Sequence, residues 1–261
     1  MSELPMSQYP MPQAPYNAPI RQKSNTLKIV LIVMAVVLGL MIVGCGLLAA
    51  LLIPAARQAA QRQMASNNLK QIGLAFHNYE SANKKLPALH GINHENKPTG
   101  NWRVVITPYV ERADIFRRFN FNKPWDAPEN QSVANEMPAL YRSPLADPNQ
   151  PLNNTNVFTI QDPNSIMPAG ARYLSFASAS DGTSNTIVAI DLPNHSVPWT
   201  QPTDLTIAEA LQLIRANKHP EIIQLLMLDG SVISLGKLTD EELTMLFKIN
   251  DGGIVNIPYS R

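Results

Sequence analysis

Cysteine is almost absent: Cys45 is the only one in 261 residues. An internal disulfide is therefore excluded, as is a zinc site built on several thiolates. Charge is also scarce. Asp, Glu, Lys and Arg make up 16% of the chain, and 21 basic residues nearly cancel 20 acidic ones. That balance excludes a basic nucleic-acid coat and an acidic tail protein, so no nucleic-acid partner is expected. No Gly-x-Ser-x-Gly elbow, glycine-rich phosphate loop or dinucleotide fingerprint occurs. No cofactor is expected, and no set of residues is assembled for catalysis.

The longest stretch without charge runs from Ile29 to Ile53, 25 residues. As a helix it would be about 37 Å long, enough to cross a hydrocarbon core of about 30 Å. A buried core helix of this length would carry a polar face, and this one has none. A single membrane span at 27–53 is expected. The run is longer than the roughly 7–15 residues of a cleaved signal peptide's apolar region. Ile42-Val43-Gly44-Cys45 fits a bacterial lipobox, which would make Cys45 a lipidation site. Against this, apolar or small residues continue to Ile53, where a lipoprotein usually has a polar tether. Otherwise Gly39, Gly44, Cys45 and Gly46 are small residues that allow close packing with a partner helix. Orientation is not set by charge: Arg21, Lys23 and Lys28 before the span balance Arg57, Arg62 and Lys70 after it.

Proline is plentiful, at 22 residues, and helix interiors exclude it. Residues 1–26 interleave Pro5, Pro10, Pro12, Pro15 and Pro19 with tyrosine and methionine, and read as a disordered or polyproline-II tail. After Pro54 the composition changes again. Met64, Leu69, Ile72, Ala75, Phe76 and Tyr79 recur at spacings of three to four, so the helix is expected to continue as an amphipathic one to about Ala82. Pro54 sits at the junction, where a proline can kink a helix.

Residues 87–170 are proline-rich and irregular, with short helices expected at 102–109, 112–119 and 128–135. Strands are expected at 171–177 and 185–191, and a helix at 206–216. Two apolar runs, 221–228 and 231–235, flank Asp229-Gly230 and predict a β-hairpin with a type I′ turn. Thr239, with Glu242 three residues on, predicts a capping box opening a helix over 241–249. A last strand is expected at 254–257.

Candidate ligands are sparse. His90, His94 and Glu95 lie in a Gly-, Asn- and Pro-rich stretch with no third element marked, and read as a solvated loop. His77, on the amphipathic helix, reads as a hydrogen-bonding link from helix to sheet. Asp181-Gly182-Thr183-Ser184-Asn185 offers a carboxylate, a hydroxyl and an amide. Asp181, Thr183 and Asn185 are thus candidates for calcium, and the alternative is a polar turn closed by side chains bonding backbone. Trp102, Trp125 and Trp199 each sit near a proline and are expected to cover the core beneath the irregular region; a carbohydrate platform is the other reading.

Several ordered blocks resemble the DUF1559 proteins, which are pseudopilin-like (type II secretion G-like) and abundant in planctomycete bacteria. One block runs from Leu52 to Ala60. The next holds Ser66, Asn67, Asn68, Leu69, Lys70, Gln71, Gly73, His77, Asn78 and Tyr79. Others are Asn101-Trp102-Arg103 with Pro108-Tyr109-Val110-Glu111; Pro124-Trp125-Asp126; Asp181-Gly182-Thr183-Ser184-Asn185-Thr186; Val197-Pro198-Trp199-Thr200; and Asp229-Gly230-Ser231 with the following helix. The resemblance spans roughly residues 50–257. It implies an α+β, pilin-like fold: a long N-terminal helix, half membrane and half amphipathic, packed on an antiparallel sheet. It also implies no established enzymatic activity. The domain at 54–261 would lie outside the cytoplasm, anchored by one pass in the bacterial inner membrane, with protein partners engaging through the helix.

The chain departs from the pilin pattern before the membrane run. A Gly-Phe-Thr-Leu-x-Glu peptidase motif is missing, and no acidic residue lies between Glu3 and Glu80. Ala65 stands where the family has a cysteine. Three functions follow as expectations. The first is a non-enzymatic anchored component of the cell envelope or of a secretion-type assembly. The second is a polymerising pseudopilin subunit. The third is an envelope binding module for glycan or calcium.

Overall fold

The structure is a computed structural model describing residues 25–92, 98–168, 174–236 and 238–256. It divides into two compact units, 1–53 and 54–261. Helix α1 spans Thr26–Asn83 and includes Pro54. In the first unit its apolar side chains, such as Ile29, Leu38 and Met41, are exposed. Among the described residues it is the one helix long and apolar enough, by length and composition, to cross a membrane. The proline-rich tail lies outside the described residues up to residue 24, and Thr26 already belongs to the helix.

In the second unit, α1 packs on a sheet. Strands β1 (His90–Ile92) and β2 (Pro98–Asn101) pair antiparallel, followed by short helices α2 (Trp102–Val105), α3 (Ala113–Arg118) and α4 (Gln131–Ala134). Next come β3 (Asn154–Thr155), β4 (Val157–Phe158), β5 (Ile187–Asp191) and β6 (Val197–Pro198). The chain continues through α5 (Ile207–Ala216), β7 (Gln224–Met227), β8 (Val232–Ser234) and α6 (Asp240–Phe247). The main sheet is antiparallel in the order β4-β5-β7-β8, and β3 pairs with β6. The fold is α+β and pilin-like in arrangement, with its long helix at the N-terminal side.

The sheet is covered on both faces, which explains why Leu225 to Leu228 are all apolar. Successive strand residues point to opposite faces. Leu226 and Leu228 join Leu69, Ile72, Ala75 and Phe76 of α1 in one core. Leu225 and Met227 join Ala210 and Ile214 of α5 and Leu243, Leu246 and Phe247 of α6 in the other. The irregular region supplies Trp102, Ile115, Val133 and Tyr141 to the first core, and Trp199 joins them from just after β6. Helices α2, α3 and α4 fall within the three segments expected from the sequence, whereas the 3₁₀ turn Ala139–Tyr141 was not expected.

Four sequence expectations need correction. Met64 is exposed, and Ala65 is the buried residue. Residues 65, 69, 72 and 76 form the stripe, and Met64 stands about 100° away from it on a 3.6-residue helix. The β7–β8 turn is not type I′: Gly230 has φ +86, while Asp229 is not among the residues with positive φ. Met227 and Ser231 close a three-residue loop, and the Asp229 carboxylate accepts from the Ser231 amide and hydroxyl. That is the longer hairpin in which a glycine takes the left-handed position. Of the expected strand at 171–177, residues 171–173 lie outside the described set, and Phe176–Ser178 form a 3₁₀ turn capped by Ser175. Of the expected strand at 254–257, residues 254–256 are not a strand, the Val255 amide donating to the Asn185 side chain rather than to a ladder partner, and residue 257 lies outside the described set.

Candidate functional site

The motif residues converge on three clusters. The first begins where β2 meets α2. Asn101 caps α2, its side-chain oxygen accepting from the amides of Arg103 and Val104 at 3.0 and 3.3 Å. Its amide nitrogen donates to the carbonyls of Trp199 and Gln201. One side chain thereby starts a helix and fixes a stretch about 100 residues away.

Arg103 follows, wholly buried. Its Nε and Nη2 donate to the Val157 carbonyl of β4 at 3.0 and 2.8 Å, and Nη2 also donates to Asp204 Oδ1 at 2.8 Å. The Asp204 carboxylate further accepts from the Trp102 indole and the Thr159 amide. Burial pulls Arg103 down and Asp204 up, and each partner opposes the other's shift. With a guanidinium, an indole N–H and a backbone amide converging on it, the carboxylate is held ionised. Tyr141 donates to the Arg103 carbonyl, and burial raises its hydroxyl well above the usual phenol value. Its ring stacks on Trp199 and meets Trp102 edge-on. The Trp199 indole donates to the Ala134 carbonyl. Trp102 and Trp199 are thus inside the core, while Trp125 is half-buried against it.

The second cluster joins α1 to the hairpin. The His77 ring nitrogen Nε2 lies 3.1 Å from the Leu228 carbonyl. A carbonyl only accepts, so Nε2 carries the proton. The ring packs against Phe176 with centroids 4.4 Å apart. This is the helix-to-sheet link that the sequence suggested. Gly73, one turn earlier, lets the helix approach: a Cβ there would lie 3.0 Å from Leu226 Cδ1. Leu69 is buried beside it. Asn67, Lys70, Gln71 and Asn78 face solvent, with Ser66, Asn68 and Tyr79 partly covered.

The third cluster is the turn at 181–186. The two Asp181 carboxylate oxygens accept from the amides of Asp251 and Gly252. Asn185 donates to the Gly253 carbonyl and accepts from the Val255 amide. Thr186 closes the turn by donating to the Gly182 carbonyl. Gly182 supplies the positive φ of +94 that the turn needs. Asp181 and Asn185 thus use their polar atoms on the backbone of 251–255, while Thr183 and Ser184 sit in the 3₁₀ turn between them.

Among the described residues, no three His, Cys, Asp or Glu side chains gather to hold a metal. His94 and Glu95 lie outside the described residues. Cys45 is exposed on α1. A cleft of about 220 Å³ beside Leu192, His195, Leu213 and Asn217 is smaller than ligand pockets of roughly 300–1,000 Å³.

Sequence reasoning missed Asp204, Tyr141 and Asn156. Asn156 links the Ser143 amide to the carbonyls of Leu192, Pro193 and His195. No periodic signal marks these residues: Asp204 and Asn156 sit in coil, Tyr141 ends a single 3₁₀ turn, and all three act on segments distant in sequence.

A family model described as a protein of unknown function, DUF1559, matches residues 54–210. The match takes in the blocks from Ser66 to Thr200 and stops before the Asp229-Gly230-Ser231 hairpin. No curated protein and no solved structure matches the chain.

Proposed function

For a chain that belongs to the DUF1559 family, we propose a non-enzymatic, single-pass, membrane-anchored pseudopilin-like protein. Its 54–261 domain stands outside the cytoplasm of a bacterium as a structural or accessory component of the cell envelope or of a secretion-type assembly. The observation that carries the reading is the apolar segment of α1, exposed on every side from Ile29 to Leu40. A helix that is apolar all round needs either a protein core or lipid around it, and this segment has no core of its own. The non-enzymatic part is supported by where the motif side chains are spent. Asn101, Arg103, His77, Asp181 and Asn185 each bond another segment of the same domain.

The test is the intact mass of the protein extracted from its native membrane, with protease added to spheroplasts whose outer membrane has been opened. An unprocessed chain in the membrane fraction, with the domain cut from outside, is the expected result. A soluble chain overturns the reading. A form beginning near Leu27 without lipid replaces it with the polymerising pseudopilin, and one beginning at lipid-modified Cys45 replaces it with a lipoprotein.

A further inference from the structure

Asp191 closes β5 with its side chain buried, 2% exposed. Oδ2 accepts from the Ser143 hydroxyl at 2.9 Å, and Oδ1 has no partner. Across the ladder its neighbours are Val157 and Gln224, neither of which carries a charge. The charged and titratable groups on the flanking elements are committed elsewhere. Arg103, which bonds the Val157 carbonyl, pairs with Asp204. Arg142, next to Ser143, donates to the carbonyls of Asp147, Gln150 and Pro151. Arg62 of α1 pairs with Glu221, ahead of β7. His195, beyond the end of β5, is lowered from its ordinary value by burial.

A buried carboxylate with one hydrogen bond and no cation is costly, so such a group keeps its proton instead. Burial pushes the Asp191 carboxyl up to about 7, and the Ser143 bond offsets this only partly. The ordinary value is 3.8. Between the two the folded domain holds a proton that the unfolded chain has lost. Stability from this group is therefore lost as pH rises from about 4 to about 7, and stays lost above.

The same carboxyl holds a specific segment. Ser143 accepts the Leu145 amide on its hydroxyl and gives its own amide to Asn156. Pro144 accepts Gln61 of α1. We propose that Asp191 is a proton-operated latch: when neutral it holds the 143–145 segment against the sheet and α1, and when ionised it lets that segment open. Opening relieves the buried charge by admitting water, and it uncovers the stretch of α1 near Gln61. The inference is independent of how the chain is anchored.

Hydrogen exchange on the full chain in detergent tests it, at pH 5.5 and pH 8.0, corrected for the intrinsic pH dependence of exchange. The expected result is a loss of protection at Ser143 and Leu145 of up to about tenfold at pH 8.0, with the β7–β8 hairpin unchanged. Asp191→Asn should remove the difference between the two pH values. Equal protection in the parent chain, or a difference that survives in Asp191→Asn, overturns the latch. If that variant does not fold, Ser143→Ala serves: it keeps the carboxyl but cuts the tether. The segment should then be unprotected at both pH values, and a persisting pH difference would again overturn the proposal.

Discussion

Arg103 and Asp204 are 101 residues apart in sequence and 2.8 Å apart in the fold, with neither side chain reaching solvent. Their pairing is what lets the proline-rich region dock on β4, because the same guanidinium also holds the Val157 carbonyl. Asp204→Ala would leave that guanidinium buried and unpaired. The expected loss is about 3–5 kcal/mol of unfolding free energy, read by denaturant titration. Replacing both residues together by apolar ones of similar volume should cost less than the single change, since the uncompensated charge is gone. A double variant weaker than Asp204→Ala would contradict this account.

Gly73 sets how closely α1 lies on the sheet. A Cβ at this position meets Leu226 Cδ1 at 3.0 Å and the Gly230 Cα at 3.4 Å. Gly73→Val should therefore destabilise the domain by about 1–3 kcal/mol through overpacking. Leu74→Val, one residue on, points to solvent and is the matched control, expected within about 0.5 kcal/mol of the parent. Equal melting of the two variants would show that the helix does not contact the sheet at Gly73.

His77→Phe keeps the ring but deletes the donor to the Leu228 carbonyl. Leaving that acceptor unpaired should cost about 1–3 kcal/mol. The loss should appear as faster amide exchange across the 228–231 turn, with the α5–α6 side of the sheet unaffected. Unchanged exchange in the turn would refute the link.

The turn at 181–186 makes opposite predictions for its two readings. If Asp181 and Asn185 exist to hold 251–255, Asn185→Ala should release that segment to exchange. Millimolar calcium should then leave the melting temperature of the full chain unchanged. A calcium-dependent rise that disappears in Asp181→Asn would favour the cation reading instead.

The parts of the fold legible in the sequence are those where the signal is local. The capping box at Thr239 and Glu242 opens α6 through two reciprocal bonds three residues apart. The hairpin position was legible because two apolar runs flank Asp229-Gly230. Its turn type was not, because loop length depends on where the ladder closes, at Met227 and Ser231. Met64 misled because a large apolar residue outweighs a neighbouring alanine on any hydrophobicity scale. On the helix, Ala65 shares the angle of Leu69, Ile72 and Phe76, whereas Met64 stands to one side of them. Asp204 gave no signal: its partners are Trp102, Arg103 and Thr159, and nothing in Gln201-Pro202-Thr203-Asp204 marks it. His77 was legible as a link from its place on the amphipathic helix beside Asn78 and Tyr79, although its acceptor was not. The irregular region could be recognised by its prolines, but the fixing of its coil by asparagine side chains such as Asn101 and Asn156 is a tertiary effect.

The bond from His77 to Leu228 spans 151 residues, which bears on how the domain forms during synthesis. A ribosome delivers the chain from its N-terminal side, so the apolar stripe of α1 emerges well before the strand that covers it. Contacts so distant in sequence close late and slowly. Ile249 and Val255, which fill one core each, arrive later still. Until they arrive neither core can close, so the chain emerging before them is a thread rather than a finished domain. A thread can be passed through a membrane channel, whereas a domain that folded early would jam it.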